Sequence, residues 1–258
     1  MPKRRFMPLK AIASGASVVG IGRFWLEGSP VFAPDWFDPG EGCVAVEPRS
    51  MAAVLDAGKV TPGGGAFMNC VQATGVWQDG QLTVTEVVAS RGAEDSWEHP
   101  SPVYSGPDAG RVGGWRRWTH EQVSHAWSDV NPEERERLVS LKPVPTPDGG
   151  KAWVAVAEEK DLKWAQERLE PLFHDSLVVV RSAWSRKGFD DADQHIATNL
   201  ELYEVMLHGV RLRGNGLSEI YVQVACLTAQ LQSWASQQHR EMLHIVPWFM
   251  HQPVHCSG

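Results

Sequence analysis

The sequence predicts an α+β protein, with a small β-barrel or sandwich-like domain in its N-terminal part and a ferredoxin-like βαββαβ domain at its C-terminal end. Three observations carry this. Residues 24–91 hold short β-like runs punctuated by Gly and Pro. Residues 142–150 place three prolines and two glycines together, a composition that supports neither a helix nor an interior strand. Residues 175–251 switch between strand and helix periodicity in six consecutive segments. The predicted division is a basic leader at 1–23, a β-rich domain with two short C-terminal helices at 24–141, a Pro/Gly linker at 142–150 and the α+β ferredoxin-like domain at 151–258.

In the first domain the clearest element is a hairpin. Residues 67–78 and 81–89 flank Asp79-Gly80, a pair that supplies the positive φ angles of a type I′ turn. Residues 92–114 are polar and rich in Pro and Gly, which predicts a long surface loop. Thr119 caps a predicted helix running to Trp127. Asn131-Pro132-Glu133-Glu134 starts another, predicted to end near Ser140: Asn caps, Pro fits the first turn, and the acids face the positive end of the dipole.

Beyond the linker, Trp153–Ala157 reads as a strand and residues 158–173 as a helix with Leu162, Ala165, Leu169 and Leu172 on one face. The predicted ferredoxin-like unit begins with the apolar run Leu177–Val180. Phe189, Ala192, Ile196 and Leu200 then recur at helical spacing, with Asp190, Asp191 and Asp193 placed at the dipole's positive end. Residues 204–212 and 218–227 flank Arg213-Gly214-Asn215-Gly216 and are predicted to pair antiparallel, with Met206, Val210 and Leu212 on one face. Thr228 caps a second helix, and residues 243–249 return as the last strand. Right-handed crossovers would put the first and third strands of this unit at the centre of one sheet.

The chain has 258 residues, a formal net charge of −7 and 43% hydrophobic residues, enough to bury a core in each of two domains. The acidic balance disfavours nucleic acid as a partner. No stretch reaches the roughly 18 apolar residues a membrane-spanning helix needs. Lys3, Arg4, Arg5 and Lys10 precede the weakly apolar run 11–22, the order of an export signal. No A-x-A cleavage site follows, so a cytoplasmic location is expected, with export as the alternative.

No motif specifies a chemistry. There is no GxSxG, no Walker sequence and no GxGxxG opening a helix, and no cofactor is implied. His120 and His125 are spaced one residue too far for a zinc-protease HExxH, which puts the imidazoles on different helix faces. His251, His255 and Cys256 are weak metal candidates, with no fourth ligand evident and Pro253 among them. His208, between Met206 and Val210, reads as a core or strand-edge histidine. The candidate binding patch is Arg111, Trp115, Arg116, Arg117 and Trp118, whose guanidinium groups and indoles suit a protein interface. The competing reading packs these tryptophans inward and pairs the arginines with carboxylates. The expected function is a non-enzymatic module that binds a protein or peptide, with strand addition to an exposed sheet edge as the mode. A hydrolase-type enzyme with its site between the domains, and an exported chaperone- or inhibitor-like protein, are the alternatives.

Overall fold

The computed structural model describes residues 11–25, 30–33, 43–50, 71–89, 103–106, 117–239 and 241–251. Its N-terminal part is a closed β-barrel. β1 (Ala16–Trp25), β2 (Val31–Ala33), β3 (Val44–Val46), β4 (Val71–Gln78) and β5 (Gln81–Ala89) run in the order β1-β2-β3-β5-β4, and β4 pairs back onto β1. Closure leaves no free edge in this ring. The β4–β5 hairpin turns at Asp79 (φ 49°) and Gly80 (φ 77°), the positive angles that a two-residue turn needs.

The barrel core is completed from the far end of the chain. Trp248 and Phe249 are fully buried among Phe24, Phe32 and Trp77. Phe32 stacks on Trp248 with ring centroids 4.9 Å apart, and the Trp248 indole Nε1 donates to the Ile21 carbonyl at 2.8 Å. Gly20 makes room for this plug, because a Cβ there would lie 2.6 Å from the Phe249 ring. β12 (Met250–His251) then pairs antiparallel with β1.

The rest of the described chain is two copies of one αββαβ unit. The first comprises α1 (His120–Ser128), the short α2 (Pro132–Arg135), β6 (Leu138–Pro145), β7 (Lys151–Ala157), α3 (Leu162–Phe173) and β8 (Leu177–Arg181). The second comprises α4 (Arg186–Thr198), β9 (Val205–Leu212), β10 (Ser218–Val224), α5 (Ala229–Ala235) and β11 (Leu243–Pro247). Each forms a three-stranded sheet, β6-β7-β8 or β9-β10-β11, with one antiparallel and one parallel pairing.

The correspondence extends to single residues. Thr119 and Ser185 cap the first helices, and Ala126 and Ala192 are buried on them. Pro145 pairs with Lys151 as Leu212 pairs with Ser218. Gly149 and Gly216 take positive φ in the turns, where Asp148 accepts from Gly150 N–H and Asn215 from Leu217 N–H. Both hairpins carry a bulge at the same place, Val139 in one and Met206 in the other. Trp153 faces Leu177 across the parallel pair as Ile220 faces Leu243.

The two units share a core. In the first, Trp153, Ala155, Ala157 and Leu177 face α1 and α3. The opposite face of that sheet, with Val154, Val156, Val178 and Val180, joins Phe189, Ile196, Ile220, Val222 and Leu231 of the second unit. Residues 103–106 bridge the two hairpin ends: Tyr104 N–H donates to the Pro145 carbonyl at 2.8 Å and Ser105 N–H to that of Gly214 at 2.5 Å. Among the described residues no helix is long and apolar enough to cross a membrane.

Of residues 142–150, predicted as a Pro/Gly linker, 142–145 finish β6 and 146–150 form the turn to β7. β6 tolerates Pro143 and Pro145 because it is an edge strand. α2 stops at Arg135, since Leu138–Ser140 already belongs to β6. The ferredoxin-like arrangement does not form. β8 pairs in parallel with β7, brought beside it by the short α3 crossover, so the predicted four strands are not one sheet. The predicted β9–β10 hairpin is present, but the bulge turns Met206 toward the barrel core, away from Val210 and Leu212. α4 starts at Arg186 under the Ser185 cap, so Asp190 and Asp191 sit a turn in, paired with Arg186 and Lys187.

Phe249→Ala should lower the unfolding free energy by about 3–5 kcal/mol, the usual cost of emptying a buried aromatic site. Urea unfolding followed by circular dichroism measures this.

Candidate functional site

In the second unit α4 and α5 cover one face of the sheet, and side chains alternate along each strand, so residues 207, 209 and 211 of β9 point to the other face. On it their cross-strand neighbours are Gln223, Tyr221 and Glu219 of β10, followed by His244 and Val246 of β11. Glu219, Gln223 and Val246 of this face are buried, and Tyr221 and His244 are half-buried. The equivalent positions of the first unit are Ala152, Val154, Val156 and Val178, all buried in the shared core. Apolar residues that join the units in one copy are therefore replaced by Glu219, Tyr221, Gln223 and His244 in the other.

The Glu219 carboxylate organises the site. Its side chain is 2% exposed, and the guanidinium groups of Arg211 and Arg213 each donate through Nε to one of its oxygens. His244 Nδ1 lies 3.4 Å from Glu219 Oε1 and 2.7 Å from Arg211 Nη2. The shorter contact makes Nδ1 an acceptor from Arg211, which places the ring proton on Nε2. Arg211 also stacks over the Tyr221 ring, 4.2 Å from its centroid. Burial alone would raise the Glu219 pKa, but the hydrogen bonds donated by Arg213 and Arg211, with the Arg211 charge, outweigh it and hold the carboxyl at about 2. Burial raises the Tyr221 phenol.

Two cations on one carboxylate leave this half-exposed cluster with a net positive charge on an acidic protein. A Cβ on Gly209 would meet nothing within 4 Å, so there is open space beside Tyr221. Leu207 is 45% exposed at one end of the face. Gln223 Oε1 is buried there and accepts no hydrogen bond from a described residue.

Of the five residues of the sequence-predicted patch, two are among the described residues. Arg111, Trp115 and Arg116 lie outside them, and Arg117 is exposed. Trp118 is a core residue, packed on Trp153 and Phe173, and its Nε1 donates to Ser176 Oγ at 3.2 Å. Of the metal candidates, His251 stands in β12 opposite Val18, while His255 and Cys256 lie outside the described residues. Among the described residues no group of three or more His, Cys, Asp or Glu could hold a metal ion. His208 points to the helix side of β9, where its Nε2 lies 3.0 Å from Asp193 Oδ1. Arg211, Glu219 and Tyr221 were not singled out from the sequence. Glu219 and Gln223 interrupting an otherwise apolar strand were the available signal.

No protein-family model, no curated protein and no solved structure matches the chain.

Because the Glu219 pKa is lower folded than unfolded, the stability it contributes is intact above about pH 4.5 and is lost as pH falls toward 2. The shift corresponds to about 3 kcal/mol. Urea titrations across that pH range should show this loss in the parent protein and a flatter profile in Glu219→Gln.

Proposed function

We propose that the protein is a non-enzymatic binding module that takes an acidic segment of a protein or peptide on the β9–β11 face. The carrying observation is that this face bears Glu219, Tyr221 and His244 where the duplicate unit bears buried valine and alanine. Arginine and tyrosine are the side chains that anchor protein interfaces, and Arg211 and Tyr221 are held in place by their neighbours before any partner arrives. β11 is an edge strand. A partner strand added there would run beside His244, with its carboxylates within reach of the two guanidinium groups. The hydrolase reading has less support, because Ser140, the hydroxyl on the wall of the cleft between the units, is hydrogen-bonded to Ser218 at 2.6 Å and not to a base.

Gly209→Trp fills the space beside Tyr221 without meeting other atoms at its Cβ. The variant should keep its circular dichroism spectrum and lose the partners that the parent protein retains in affinity capture from native extract, while the remote Lys163→Ala keeps them. A folded Gly209→Trp protein with an unchanged partner set overturns this assignment.

A further inference from the structure

A second location has a different character. A cleft of about 280 Å³ opens where β6 of the first unit meets α4 and β9 of the second. Trp127, Leu141 and Phe189 give it apolar walls, and Lys142 and Asp193 line it. The Lys142 ammonium donates to the carbonyl of Val210, an edge-strand oxygen, so its position is fixed by backbone. Burial lowers the Lys142 pKa and Asp193 opposes that only in part. Asp193 is engaged by His208 at 3.0 Å. The charged lining is mixed: Arg135 and Arg186 stand there with Glu136, Asp190 and Asp193, and Arg186 is paired with Asp190. Arg135 lies on its wall, stacked over Trp127 at 4.3 Å, with a buried Nε that has no hydrogen-bond partner among the described residues.

We infer that Lys142 is a covalent capture site for small α-oxo acids, which it takes as a Schiff base inside the cleft. The unprotonated Nζ attacks the carbonyl carbon, forming a C–N bond as the carbonyl π pair moves to oxygen, which takes up a proton. The resulting carbinolamine loses its hydroxyl as water, and the nitrogen lone pair closes the C=N bond. Amine and carbonyl compound thus give imine and one water, with no oxidant or reductant. Asp193, the carboxylate on the cleft wall whose charge acts on Lys142, relays the protons, and His208 positions it. The protonated imine retains one N–H, which keeps the bond to the Val210 carbonyl. The substrate carboxylate is matched by Arg135. An apolar wall slows hydrolysis of the imine by limiting water.

The test uses the full chain with glyoxylate at neutral pH, sodium cyanoborohydride to reduce any imine, and peptide mapping by mass spectrometry. Lys142 should be labelled several-fold faster than Lys163 and Lys187, whose side chains are 87% and 84% exposed. The Lys142 labelling rate should reach half its maximum at a lower pH than theirs. His208→Asn should slow labelling of Lys142 and leave Lys163 unchanged, and Arg135→Gln should weaken the preference for glyoxylate over acetaldehyde. Labelling of Lys142 no faster than that of Lys163 overturns the inference, as does a Lys142 profile that follows the exposed lysines in pH. Both readouts come from folded parent protein, so neither depends on a variant surviving, and neither is affected by the fate of the β9–β11 face.

Discussion

A three-stranded sheet with helices on one side has a second side to dispose of, and in this protein the apolar second side of the β6–β8 sheet is the constraint that arranges the rest. Val154, Val156, Val178 and Val180 would present a hydrophobic surface to water if that unit stood alone. The second αββαβ unit covers them, and it does so with its own helix-bearing side and hairpin end. Gly216 shows how close the fit is, since a Cβ on it would lie 3.1 Å from Val180. Ser140 and Ser218 meet across the same junction, and Tyr104 is sealed beneath it.

Two consequences follow from that seating. The units are duplicates in topology but not in environment, so equivalent positions came under different demands: in one copy the second face must be apolar, and in the other it is released to carry Arg211, Glu219, Tyr221 and His244. The end of β11 is also delivered next to the barrel, where Trp248 and Phe249 fill space that the barrel strands leave. Barrel and duplicated units are thereby tied through the last described strand of the chain, which pairs with the first. The cleft with Lys142 is a further product of the junction, because β6 belongs to one unit and both α4 and β9 to the other.

Much of the secondary structure was legible in the sequence, and for identifiable reasons. Asp79-Gly80 specified its turn, and Thr119, Asn131 and Thr228 marked helix starts that their side chains do cap. What was not legible was pairing. Leu177–Val180 reads as a buried strand whichever neighbour it has, and nothing local says that β7 claims it before β10 does. Pro143 and Pro145 look like a linker until β6 is known to be an edge. The duplication was hidden because the two copies share spacing and turn geometry, with Asp148-Gly149 and Asn215-Gly216 in the same role, while most other equivalent residues differ. The candidate site was missed with it. Only after the copies are aligned does Glu219 stand where Ala152 stands, and polar residues in a strand become a statement about which face is used. The Arg/Trp patch drew notice through composition, whereas Trp118 is spent on packing.

The two αββαβ units unfold as one body, because each needs the other's surface. Native-state hydrogen exchange of the β7 and β10 amides, in the parent chain and in Val156→Ala, measures this most directly. The two strands should open with the same free energy, and the substitution in the first unit should lower both by the same amount. If β10 keeps its protection while β7 loses it, or opens separately at lower free energy in the parent chain, the units are independent and the shared core is not what organises the fold.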